Sequence, residues 1–117
     1  MNWALIGYGG MGHWHVSKLQ TLEEINICGI YDIDEAKRVE AEQNGLHAYA
    51  SLEELLADPQ VELVTIATPN DFHRSIAIQA LEAGKNVISE KPVTLSCDDL
   101  QAMIDASKRA GKRFTVH

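Results

Sequence analysis

The 117 residues are 45% hydrophobic, 23% charged and only 6% aromatic, and seventeen Asp and Glu against ten Lys and Arg leave a net charge of −7. This length carries one domain with a real core, and the apolar fraction excludes intrinsic disorder. The negative field argues against nucleic acid or an anionic membrane surface as a partner, and no apolar run approaches the roughly 20 residues of a membrane span.

Along the chain, short β-branched apolar runs alternate with helix-length polar segments. Residues 3–6 read as a buried strand and residues 7–12 as a glycine-rich turn. A helix is expected over 10–22, with His15, Leu19 and Leu22 on one face. A second strand covers 25–31. Asp34 reads as the N-cap of a helix that ends near Gly45. Residues 47–50 predict a short third strand, and Ser51 with Glu54 forms a capping box before a helix that Pro59 stops. The most strand-like segment is 61–67. A helix follows Pro69-Asn70, with Phe72, Ile76 and Ala80 inward and Gly84 at its end. Residues 86–89 predict a fifth strand. Ser96 caps a last helix bearing Leu100, Met103, Ile104 and Ser107 on one stripe, and residues 113–116 close with a sixth strand.

Strands that are apolar along their length are buried on both faces, as in parallel sheets, and strand-helix-strand crossovers are right-handed. The pattern therefore predicts an α/β fold of the Rossmann type: a doubly wound, mostly parallel, six-stranded sheet with helices on both faces.

Gly7-Tyr8-Gly9-Gly10-Met11-Gly12 places glycines at the first, third and sixth positions between a strand and a helix. Gly7 would permit the tight turn, Gly9 would let a pyrophosphate approach the backbone, and Gly12 would let helix and strand pack closely. Amides at the helix start and the positive end of its dipole attract phosphate. Asp32 follows the second strand at the ~20-residue offset from Gly12 that suits a carboxylate holding ribose hydroxyls. An acid there repels a 2′-phosphate, so NAD is favoured over NADP. Lys37 and Arg38 speak for NADP, since a cation can accommodate that phosphate. Ile33 is expected against the adenine. Trp3 and Trp14 read as packing residues, Trp14 as a cover for the glycine turn, and His47 as a surface residue.

Two further segments fall at the carboxyl ends of later strands, where such sheets bind ligands: Ala67-Thr68-Pro69-Asn70-Asp71-Phe72-His73 and Ser89-Glu90-Lys91-Pro92-Val93-Thr94-Leu95. With the glycine turn and Asp32, they resemble the nucleotide-binding domain of the Gfo/Idh/MocA family, which includes glucose–fructose oxidoreductase and inositol dehydrogenase. The resemblance covers essentially the whole chain. It implies that Ala67, Thr68, Pro69 and Asn70 line the cofactor groove, that His73 heads the next helix beside it, and that Glu90 contacts the nicotinamide ribose. It implies that Lys91 touches both nicotinamide and substrate and is the catalytic residue. A cation near the reacting oxygen stabilises developing alkoxide. Pro92 is considered for a cis peptide bond.

The resemblance also implies a second, larger α/β domain after residue 117, holding most of the site for a sugar, inositol or polyol. These residues contain no counterpart of it, so this chain alone is expected to bind cofactor without turnover, and self-association through an exposed apolar surface is expected. The glycine spacing and the later segments argue against methyl transfer from S-adenosylmethionine; the rivals are a non-catalytic nucleotide-binding or regulatory module and a hydrolase or lyase using NAD transiently. No metal is expected: Cys28 and Cys97 form neither a metal site nor a disulfide framework. With an N-terminus lacking a basic start and reaching Gly7 too soon for a signal peptide, that cysteine usage suggests a reducing cytoplasm.

Overall fold

The computed structural model describes residues 2–22, 24–67, 73–89 and 97–116. Among these residues five strands, β1 (Asn2–Ile6), β2 (Asn26–Tyr31), β3 (Leu63–Ile66), β4 (Asn86–Ser89) and β5 (Phe114–Val116), form one sheet in the order β2-β1-β3-β4-β5. Every pairing is parallel. The chain winds from β1 to β2 in one direction and from β2 through β3, β4 and β5 in the other, so right-handed crossovers must place helices on opposite faces. They do. The helices are α1 (Gly10–Leu19), α2 (Glu35–Gln43), α3 (Leu52–Ala57), α4 (His73–Glu82) and α5 (Cys97–Ala110).

One face carries Ala4, Ile6, Val64, Ile66 and Val87 from the strands, packed with Leu55 of α3, Ala77, Ala80 and Leu81 of α4, and Met103 and Ala106 of α5. The other face joins Trp3, Leu5 and Ile30 to Val16 of α1 and Ala41 of α2. Alternation along each strand feeds both cores at once, which is why these strands read as continuously apolar. Local signals set the helix starts. Asp34 Oδ1 accepts from Ala36 N at 2.9 Å, and Ser51 Oγ accepts from Glu54 N at 3.1 Å while the Glu54 carboxylate accepts from Ala50 N at 3.2 Å. Ser96, Phe72 and the Lys91–Pro92 bond lie outside the described residues.

The short third strand expected over 47–50 is corrected to a single bridge, Ile30 to Ala48, which leaves five strands where six were expected. Ile30 N donates to His47 O and Tyr49 N to Ile30 O, but Ser51 already caps α3, so the segment is too short to extend the ladder. The approach is close: a Cβ at Gly29 would stand 2.6 Å from His47 O and 2.8 Å from the Tyr49 ring. Helix α1 also stops three residues early, at Leu19. Thr21 Oγ1 donates to Lys18 O at 2.7 Å in the closing turn, and Leu22 is 50% exposed. Trp3 is buried and its indole donates to Thr65 Oγ1 at 2.8 Å, whereas Trp14 is 47% exposed with the Lys18 ammonium 5.6 Å from its ring centre.

Candidate functional site

Register brings the starts of the predicted segments to one edge. Ile6 pairs with both Tyr31 and Ile66, and Ile66 pairs with Ser89. Gly7, Asp32 and Ala67 are therefore the first residues to leave the sheet along a single row. Two backbone bonds tie that row: Gly7 N donates to Tyr31 O at 2.7 Å and Ala67 N to Ile6 O at 2.8 Å.

Within the glycine turn, Gly7 adopts φ 99°, a conformation that favours glycine because a side chain would clash there. Gly9 is the N-cap of α1 and has extended dihedrals, φ −92° and ψ −157°. A Cβ at Gly9 meets no heavy atom within 4 Å among the described residues, so its missing side chain leaves open space over the helix start. That is where a phosphate must sit to use the helix amides and dipole. Gly10, Met11 and Gly12 form the first turn of α1. Tyr8 turns inward. Its ring is buried, its hydroxyl accepts from Asn44 Nδ2 at 2.9 Å, and only its backbone faces the turn.

Asp32 ties the acid to the turn. One carboxylate oxygen accepts from Tyr8 N at 2.8 Å and the other from Asp34 N at 2.9 Å. Each oxygen keeps acceptor capacity, so the carboxylate can still receive two hydroxyls. Ile33 beside it is 76% exposed, an apolar surface at the mouth of the turn. The backbone of His73 begins α4. Thr68, Pro69, Asn70, Glu90 and Lys91 lie outside the described residues, although Ala67 stands in that row and Ser89, paired with Ile66, ends β4 just before it.

Sequence reasoning weighed Arg38 only as a 2′-phosphate ligand, yet its Nη1 donates to Asp32 O at 2.7 Å and Ile33 O at 3.3 Å. The signal was present as the position of Arg38, one helical turn after the Asp34 cap, from which a long side chain reaches back over the turn.

Among the described residues, the groups with displaced protonation equilibria lie at the opposite edge of the sheet. Asp58 accepts from Gln60 N at 2.9 Å and from the Tyr49 hydroxyl at 2.7 Å, and these bonds hold its carboxyl below the ordinary range. Burial pushes Lys85 down, its ammonium donating to Asp58 O at 2.7 Å. Burial pushes Tyr49 and Cys28 up. Among the described residues no group of three or more His, Cys, Asp or Glu side chains could hold a metal ion, and no helix is long and apolar enough to cross a membrane.

A glycine turn with open space at its N-cap, joined to an acid at the end of β2, is the arrangement of a dinucleotide-binding fold, and the family model described as an oxidoreductase family with an NAD-binding Rossmann fold matches residues 1–117. The chain belongs to the Gfo/Idh/MocA oxidoreductase family. Its 117 residues match the NAD-binding Rossmann fold of that family. It is 34% identical over 114 residues to the inositol 2-dehydrogenase/D-chiro-inositol 3-dehydrogenase of Lactiplantibacillus plantarum, aligning 94% of this chain with 33% of that one. Among solved structures, an NAD-binding protein from Listeria innocua is 48% identical with a TM-score of 0.93, covering 99% of this chain and 34% of that one. GenD2 from gentamicin A biosynthesis, in complex with NAD, is 32% identical with a TM-score of 0.91, covering 99% and 34%. The chain thus spans about a third of the length of the relatives and structures it matches.

Proposed function

We propose that this Gfo/Idh/MocA domain holds NAD, in preference to NADP, along the edge formed by the glycine turn, Asp32 and the segments after β3 and β4. The observation that carries the reading is the bond from Tyr8 N to the Asp32 carboxylate, which makes the phosphate turn and the ribose acid one constellation. In this reading the backbone of Gly7, Tyr8, Gly9, Gly10, Met11 and Gly12 surrounds the pyrophosphate, Asp32 receives the adenosine ribose hydroxyls and Ile33 covers the adenine. Ala67, Thr68, Pro69, Asn70 and His73 form the far wall, and Glu90 meets the nicotinamide ribose.

The bound nicotinamide supplies hydride transfer, and the protein supplies position and field. The proposed substrate is a secondary hydroxyl, or the matching ketone, of a sugar, inositol or related polyol, in keeping with the names of the dehydrogenases this chain resembles. Lys91 is assigned to the reacting oxygen, where its cation stabilises alkoxide character and its proton can be shared. Most of the substrate site belongs to a further domain.

Calorimetric titration tests the reading. NAD is expected to bind this chain, and Asp32→Ala to weaken it by about thirtyfold through loss of charge-assisted hydrogen bonds. With a panel of polyols and sugars this chain alone is expected to produce no reduced cofactor. Absence of NAD binding, or equal affinity in Asp32→Ala, overturns the assignment.

A further inference from the structure

Arg38 is a cation beside the adenosine end of the site, and two uses are open to it. It can chelate a 2′-phosphate, or it can shape the turn that carries Asp32. Chelation needs parallel N–H groups presented outward to the anion. Here Nη1 donates to the carbonyl oxygens of Asp32 and Ile33, and the guanidinium carbon lies 5.9 Å from the centre of the Tyr31 ring. The same residue is bonded through its backbone, Arg38 N donating to Asp34 O at 3.3 Å.

The turn from β2 into α2 is consequently held from several directions. Asp34 N donates to one Asp32 carboxylate oxygen, Tyr8 N donates to the other, and Arg38 covers the carbonyls of Asp32 and Ile33. A carboxylate anchored through both oxygens cannot swing aside for a second anion. A phosphate esterified beside it would meet fixed negative charge, and Nη1, already shared between two carbonyls, could not turn to that phosphate without stripping them of their donor.

We propose that Arg38 is a positioning residue for the ribose-binding acid: it locks the Asp32–Ile33 backbone so that the carboxylate meets the ribose hydroxyls, and it does not serve a 2′-phosphate. This rests on the dinucleotide reading above. It turns one of the two residues that argued for NADP into part of the discrimination against it.

The test uses NAD, AMP, 2′-deoxy-AMP, adenosine 2′,5′-bisphosphate and nicotinamide mononucleotide, titrated into the wild-type chain, Arg38→Ala and Arg38→Lys. Arg38→Ala is expected to weaken NAD and AMP about tenfold, the scale of a lost charged hydrogen bond. It should also narrow the preference for AMP over 2′-deoxy-AMP, which a purely structural role would leave alone. Nicotinamide mononucleotide should bind unchanged, and the ratio of bisphosphate to AMP affinity should not fall. Arg38→Lys keeps a donor for one carbonyl and should recover part of the loss. It also keeps the proposal testable if the alanine variant unfolds. Two results overturn the proposal alone: unchanged AMP binding in a folded Arg38→Ala, or a selective loss of the bisphosphate. Failure of the wild-type chain to bind NAD or AMP overturns the dinucleotide reading itself, and this proposal with it.

Discussion

The two edges of the sheet are built from similar residues to opposite ends. At the amino edge, Asp58, Tyr49 and Lys85 satisfy one another: the carboxylate takes a hydroxyl and a backbone amide, and the buried ammonium takes the Asp58 carbonyl. At the carboxyl edge, Asp32 is held as firmly by two amides, but the neighbouring Gly9 leaves space where a side chain would have stood. Both acids are fixed. What sets them apart is the partner: Asp32 is bonded to the glycine turn that leads into α1, which the proposed function uses, whereas Asp58 is bonded to Tyr49 and Gln60.

Three substitutions sharpen the contrast. The largest effect is expected from Gly9→Val. Its backbone dihedrals suit any residue and its Cβ meets nothing, so thermal stability should stay near wild type while NAD affinity falls on the order of a hundredfold, the cost of displacing two or so phosphate hydrogen bonds. Parallel melting and calorimetric titration check both halves, and a large drop in stability would break the comparison. Lys85→Ala should do the reverse. Loss of the buried stem and its bond to Asp58 O should cost about 2–3 kcal/mol in urea denaturation, with NAD affinity within about twofold of wild type.

The smallest effect concerns acid. The Asp58 carboxyl is held below its ordinary value by Gln60 N first and the Tyr49 hydroxyl second, so the unfolded chain takes up this proton at a higher pH than the folded one. Its contribution is complete above the ordinary carboxylate value of 3.8 and is lost as pH falls through the lowered folded value. Urea midpoints measured from pH 7 downward should show wild type and Asp58→Asn converging below about pH 4. Parallel curves would remove Asp58 from the cluster.

Much of the fold was legible because its signals are local or periodic. Asp34 and the Ser51–Glu54 pair marked helix starts by capping chemistry alone, and Val64, Ile66, Val87 and Ile30 were visible as apolar runs. The failures were tertiary. Residues 47–50 have strand composition, but whether they extend the ladder depends on where α3 is capped and on how close Gly29 lies to His47. Leu22 fits a helical stripe, yet the chain turns before it. At the site, the glycine turn and Asp32 were readable because the strand-helix-strand unit fixes their separation. The inward ring of Tyr8 and the reach of Arg38 to two carbonyls were not, since neither leaves a mark in spacing.

Strand β2 carries a register shift against β1: Trp3 pairs with Ile27 and Ala4 with Gly29, so Cys28 is passed over. Ile27 and Ile30 consequently face the same core although they are three positions apart, and everything beyond Cys28 is turned over relative to a regular strand. This one surplus residue decides which way the end of β2 is aimed. Removing Cys28 would regularise the ladder and leave Asp32 where it is. Inserting a residue on its far side, between Gly29 and Tyr31, would flip the acid to the other surface. The aim of Asp32 therefore follows from the number of residues beyond the irregularity.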